Sequence, residues 1–205
     1  MIAIVDYGVG NLFSLECSLR SLGFDTCVTG KREVLSEASH VILPGVGAFG
    51  DAIDKLRSGG LDLAVKEEAK KGKPLMGICL GMQMLLEKSY EYGEHEGLSL
   101  IRGSIRPIEE TIGSSLKIPH IGWNSLHLTD ASSPIFRYLS EGDFVYFVHS
   151  FHGTDCEKAT VATTEYGGTL TAAVAEDNVF GCQFHPEKSG EVGLSILRAF
   201  GELSF

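Results

Sequence analysis

Lys73 to Glu87 reads KPLMGICLGMQMLLE, and the fold turns on how this stretch is understood. A short apolar run, PLMGIC, gives way without a spacer to the helical period of Leu80 to Lys88, and Cys79 stands at the change between Gly77 and Gly81. A cysteine that only fills core needs no such neighbours. A residue on a sharp strand-to-helix turn does, because flanking glycines let strand and helix approach without colliding Cβ atoms. The segment therefore predicts a strand ending at a nucleophile elbow. The Cys79 side chain would project over the start of a helix, where the dipole and free N–H groups favour a thiolate, and the Leu80 N–H would point to where an oxyanion forms.

Outward from this turn the first half alternates strand and helix. Ile2 to Val5, DTCVT and HVILP read as strands; Asn11 caps a helix through Leu22, and Asp51 to Leu56 and Leu61 to Lys71 read as helices. The order predicts an α/β fold with a mostly parallel central sheet flanked by helices. Beyond residue 100, SIRPI, SLHL, DFVYFVHS, ATVATTEY, LTAAVA and NVFGCQF are short strands that add antiparallel pairings, and Gly190 to Leu203 returns to a helical period. Tyr90 to Glu96, YEYGEHE, reads as an exposed polar loop. No repeat or linker divides the 205 residues, so one domain over 1–205 is expected.

Composition narrows the function classes. A net charge of −10 disfavours nucleic acid and anionic membrane as partners, no apolar run is long enough to span a bilayer, and the N-terminus has no export signal. The odd set of five cysteines without a Cys-x-x-Cys pair points away from disulfides and zinc, toward a cytoplasmic protein in which four cysteines are inert small hydrophobes.

A nucleophilic cysteine needs a base, and the base needs an orienter. Among the seven histidines, His185 stands out in GCQFHPEKS: it follows an apolar run, Pro186 fixes the backbone, and Glu187 lies two residues on. A second oxyanion donor is available in LPGVGAFG, where Gly45-Val46-Gly47 follows another strand. Each element alone is equally well a plain turn or loop; together, at three predicted strand ends, they describe acyl-transfer chemistry. The early DYGVGN lacks the third glycine of a dinucleotide loop, with Phe13 in its place.

PGVGAFG, GICLGMQ and QFHPEKS resemble the oxyanion strand, nucleophile elbow and His-x-Glu motif of the class I glutamine amidotransferases. Within that family, DYGVGN, PHIGWN (119–124), YFVHSF (146–151) and Lys188-Ser189 are similar to the glutaminase subunits of imidazole glycerol phosphate synthases of histidine biosynthesis. The resemblance spans the chain. It implies a triad of Cys79, His185 and Glu187 acting on L-glutamine, with Gln83, Glu91 and the backbone around Gly47, His149, Ser150 and Phe151 recognising the substrate. It implies no metal or organic cofactor. It further implies a heterodimer in which ammonia passes to a (β/α)8-barrel cyclase subunit, with Asn11, Trp123, Tyr146 and Lys188 on the covered rim. A glutaminase of another synthase, a catalytically silent scaffold subunit, and a cysteine hydrolase of peptides or esters stay open at this stage.

Overall fold

The computed structural model describes residues 1–113 and 116–204. In chain order the strands are β1 (Ile2–Val5), β2 (Thr26–Thr29), β3 (His40–Gly45), β4 (Leu75–Cys79), β5 (Lys88–Ser89), β6 (His95–Glu96), β7 (Ser104–Pro107), β8 (His120–Ser125), β9 (His127–Leu128), β10 (Phe144–His149), β11 (Phe151–Thr154), β12 (Thr160–Glu165), β13 (Thr169–Glu176) and β14 (Val179–Cys182). The helices are α1 (Leu12–Ser21), α2 (Arg32–Glu37), α3 (Phe49–Ser58), α4 (Leu61–Lys70), α5 (Leu80–Leu85), α6 (Ile108–Ile112) and α7 (Gly190–Gly201).

Among the described residues the central sheet has eight strands in the order β2-β1-β3-β4-β14-β13-β12-β9. Its β2-β1-β3-β4-β14 half is parallel, and β13, β12 and β9 continue it antiparallel. This is the expected α/β fold with antiparallel additions. Alternation along β1 shows how it is held: Ala3 and Val5 pack beneath α3, α4 and α5, whereas Ile2 and Ile4 face Leu15 and Leu19 of α1 and Phe200 of α7. Strands apolar on both faces belong in a sheet covered on both sides. The remaining strands form a four-stranded sheet, β11-β7-β5-β6, and a two-stranded ribbon, β10-β8.

Several sequence expectations need correction. The helix after Cys79 ends at Leu85 rather than Lys88, because Lys88 and Ser89 enter β5 and pair with both β6 and β7. The segment 90–96 is not wholly an exposed loop: Glu91 is buried and His95–Glu96 form β6. Asn11 occupies the cap position of α1 but makes no side-chain cap bond there. Cys17, expected to be an inert small hydrophobe, is exposed. Arg32–Glu37 forms a short helix that the sequence pattern did not suggest.

The turn at Cys79 is closely packed. Cys79 has φ 54° and ψ −112°, an angle pair that costs an L-residue on the order of 1–3 kcal/mol and persists only where the surroundings enforce it. A Cβ on Gly77 would stand 2.7 Å from the Gly81 carbonyl and the Met82 Cα, and one on Gly81 would collide with the Leu43 carbonyl of β3. Both clashes are with backbone, which cannot swing aside. Gly81→Ala is expected to destabilise the protein by about 3 kcal/mol or more, read as a lowered urea midpoint. An unchanged midpoint would show that α5 is free to move away from β3.

Candidate active site

Three adjacent parallel strands bring the proposed chemistry together. Gly45 at the end of β3 lies in register with Cys79 at the end of β4, and Cys182 at the end of β14 pairs with Ile78. Three residues past β14, His185 therefore reaches the same sheet edge as the elbow. A cleft of about 410 Å³ opens there, lined among others by Val46, Gly47, Cys79, Gln83, Glu91 and His185. Leu80, His149, Ser150, Phe151 and Lys188 also line it. Gly45 sits one layer below: a Cβ there would meet the Gly81 N at 2.8 Å and the Tyr7 hydroxyl at 2.9 Å, while that hydroxyl donates to the Pro44 carbonyl at 2.8 Å.

His185 is 3% exposed and its Nδ1 lies 2.9 Å from Glu187 Oε1. Nδ1 is thus occupied, and the ring's hydrogen bond to Cys79 falls to Nε2. Burial by itself would push the imidazole down; hydrogen bonds and charge attraction from Cys79 and Glu187 outweigh it and raise the ring to about 9. The ring is therefore an imidazolium at neutral pH, placed between the sulfur and the carboxylate. With the folded value above the ordinary 6.5, the pair's contribution to stability is complete below that pH and is lost as pH rises through about 9. α5 has only six residues, so the charge beside the sulfur is that of His185 rather than of a long helix.

The other buried cysteines lack such a partner. Burial pushes the Cys182 and Cys156 thiols up, away from the reactive form.

Support comes from residues that the sequence reading left out. Gln183, fully buried two positions before His185, brings its Nε2 to 3.9 Å from Cys79 Sγ and accepts from Gln83 Nε2 at 3.1 Å. Ser189 Oγ donates to the His185 carbonyl at 2.6 Å and accepts the Tyr146 N–H at 3.0 Å, tying the HPE segment to β10. Gln183 shared the face of His185 by simple alternation and was legible on that ground; Ser189 acts across 43 residues and was not. Asn11 donates to Glu187 Oε1 at 3.4 Å, which explains why it does not cap α1.

Glu91 is buried with Oε2 accepting the Phe49 N–H at 2.7 Å. Burial raises its pKa, against that hydrogen bond and the attraction of His95. Trp123 and Tyr146 are cross-strand partners on the β8–β10 ribbon with their rings edge to face, centroids 6.2 Å apart. Their face also carries Ile121 and Phe144, which are 57% and 55% exposed, beside Trp123 at 55%. Lys188 is exposed at the cleft. Among the described residues no cluster of three or more His, Cys, Asp or Glu side chains is placed to hold a metal, and no helix is long and apolar enough to cross a membrane.

A cysteine sulfur beside an imidazolium, at the start of α5 and open to a cleft, is equipped to attack a carbonyl. The family model of class-I glutamine amidotransferases matches residues 3–202, and the chain belongs to this family. Its relatives include the proteins named imidazole glycerol phosphate synthase subunit HisH of Caldanaerobacter subterraneus subsp. tengcongensis, 48% identical over 99% of this chain and 98% of that one, and of Sulfurimonas denitrificans, 48% identical over 98% and 97%. Solved structures share the fold: PurLQS of Thermotoga maritima has a TM-score of 0.74 at 20% identity, covering 97% of this chain and 96% of that one. The glutaminase domain of Trypanosoma brucei CTPS has a TM-score of 0.68 at 17% identity, covering 100% and 94%.

If Glu187 holds the imidazolium as this geometry implies, Glu187→Gln lowers the His185 titration by about 1 to 2 pH units, followed by histidine NMR of the free subunit. A titration that stays near 9 would leave Cys79 as the sole source of the shift.

Proposed function

We propose that this chain is the glutaminase subunit of an imidazole glycerol phosphate synthase. It hydrolyses L-glutamine to glutamate and ammonia and delivers the ammonia, in the cytosol, to a (β/α)8-barrel cyclase subunit that forms imidazole glycerol phosphate and the AICAR ribonucleotide in histidine biosynthesis. The observation that carries the reading is the juxtaposition of Cys79 on its strained turn with the Glu187-held imidazolium of His185.

The geometry supports the following course. The Cys79 thiolate attacks the side-chain carboxamide carbon of glutamine. Negative charge moves to the amide oxygen, where the Leu80 N–H and an N–H of Gly45-Val46-Gly47 receive it, each such donor being worth ~3 kcal/mol of barrier. His185 gives its Nε2 proton to the departing nitrogen, ammonia leaves, and a thioester remains. The now neutral ring takes a proton from water; hydroxide adds to the thioester carbonyl, and collapse breaks the C–S bond, restores the thiolate–imidazolium pair and frees the side-chain carboxylic acid, which loses its proton to solvent as glutamate leaves. Glu187 keeps the ring aligned throughout. Glu91 takes the substrate ammonium, and Gln83 with the backbone at Gly47, His149, Ser150 and Phe151 holds the rest.

Gly47, at φ 94°, lies in a region open to glycine, so the peptides of 45–47 can turn either a carbonyl or an N–H toward the reacting centre. This supports activation by the partner: the isolated chain is a weak glutaminase, and docking fixes the donor orientation.

Docking belongs at the carboxyl edge, where ammonia would otherwise meet water. The apolar outer face of the ribbon around Trp123 and Tyr146, and Lys188 beside the cleft, supply an aromatic anchor and a charge for it, with Asn11 reaching the same edge.

Cys79→Ala in the complex is expected to reduce ammonia release by at least about 10³-fold while leaving fold and partner binding intact; substantial turnover by the variant would dismiss the mechanism. Trp123→Ala is expected to weaken the complex by about 2 kcal/mol, roughly thirty-fold in Kd by titration calorimetry, without lowering the stability of the free subunit. Wild-type affinity would move the interface elsewhere.

A further inference from the structure

Behind the cleft the inner face of the β8–β10 ribbon carries a hydrogen-bonded chain of side chains. Asn124 Nδ2 lies 3.3 Å from His120 Nε2, His120 Nδ1 lies 3.0 Å from His149 Nε2, and His149 Nδ1 lies 2.9 Å from the Phe151 carbonyl oxygen. The same carbonyl accepts Gln83 Nε2 at 3.1 Å. The His120 ring is sandwiched between Tyr166 and Phe147, with centroids at 4.1 and 4.8 Å.

The direction of this chain follows from donor bookkeeping. A carbonyl oxygen only accepts, so His149 carries its proton on Nδ1. Burial of both rings holds His149 and His120 down, to about 3 and about 4, so each is neutral and has one N–H. His149 Nε2 is then an acceptor, His120 must donate from Nδ1, and His120 Nε2 accepts from Asn124. Every donor points the same way, from the docking ribbon to the Phe151 carbonyl.

That carbonyl, with Gln183 Oε1 at 3.1 Å, holds the amide nitrogen of Gln83. Both hydrogens of the Gln83 amide are therefore engaged, and its Oε1 has no hydrogen-bond partner among the described residues. The amide presents an acceptor to the cleft.

We infer that His120 and Asn124 are positioning residues of the glutaminase site: through His149 and the Phe151 carbonyl they fix the Gln83 amide with its oxygen toward the cleft, so that it receives an N–H of the substrate. The inference rests on the proposed glutaminase reading and deepens it. It also gives the ribbon two working faces, with Trp123 and Tyr146 for docking on one and His120, Asn124 and His149 toward the substrate on the other.

Two substitutions of His120 separate hydrogen bonding from packing. His120→Phe keeps the aromatic stack and loses the Nδ1 donor; His120→Asn keeps a donor near that position and loses the stack. In the complex with the cyclase partner, His120→Phe is expected to raise KM for glutamine by about 5- to 10-fold with kcat within about twofold, and His120→Asn to restore KM. In a Gln83→Ala background His120→Phe should add no further increase. Nitrogen-15 NMR of the wild-type free subunit should show both rings neutral and protonated on Nδ1 at pH 7. Either ring protonated on Nε2, or an unchanged KM in His120→Phe, overturns the relay. The tautomer measurement requires neither a variant nor turnover, so it decides the relay even if His120→Phe does not fold. An inactive wild-type complex would strike the proposed function and leave the tautomer result standing.

Discussion

The constraint on which the rest depends is the contact of the Gly81 backbone with the Leu43 carbonyl. It brings the start of α5 down onto β3 so closely that no side chain fits between them. With the helix held there, β4 cannot run on smoothly, and the chain turns at Cys79 with a positive φ. The strained residue is thus aimed by its neighbours rather than by any bond of its own. Since β3 and β14 flank β4 in parallel register, the same contact sets the distance from Cys79 to the glycine run on one side and to His185 on the other. Geometry that looks like a property of the site is inherited from backbone packing one layer below.

What the sequence made legible follows from the range of the interactions. The elbow is a local event, written in Gly77, Cys79 and Gly81, and the His185–Glu187 pair is local too, two residues apart on a turn fixed by Pro186. The parallel half of the sheet was readable because strands apolar on both faces alternate with amphipathic helices. The short pieces were less so. α5 was given three residues too many, because Leu86, Glu87 and Lys88 continue a helical pattern while long-range pairing to β6 and β7 takes Lys88 and Ser89 into a strand. Glu91 fell in a segment that read as an exposed loop, and the distant Phe49 N–H gives it a reason to be buried. His120 looked ordinary and His149 entered only through its backbone in the resemblance, since their side-chain partnership is a cross-strand pairing over 29 residues.

The two groups of histidines show how burial is used in opposite senses. His185 is buried beside Glu187 and Cys79, and those charges overcome desolvation, so the ring holds its proton. His120 and His149 are buried among aromatic rings, amides and each other, with no carboxylate among the described residues placed to hold a second proton. A neutral imidazole has one donor and one acceptor, which makes it suited to a directed hydrogen-bond chain; an imidazolium has two donors and suits proton delivery. The sequence contains the same residue in both places, and the neighbours alone assign the task.

Charge at the site also bears on the fate of the proposed products. Glu187 is almost fully buried, and its Oε2 has no hydrogen-bond partner among the described residues. Removing such a carboxylate from water costs several kcal/mol, and the His185 imidazolium is the charge that offsets it. The His185 imidazolium is thus committed to a buried carboxylate before any substrate arrives. A neutral carboxamide adds no charge beside that pair, whereas the carboxylate left by the proposed hydrolysis adds a negative charge near Glu187, where like charges in a partly desolvated cleft repel. The burial that aligns His185 with Glu187 therefore also favours clearance of the proposed product.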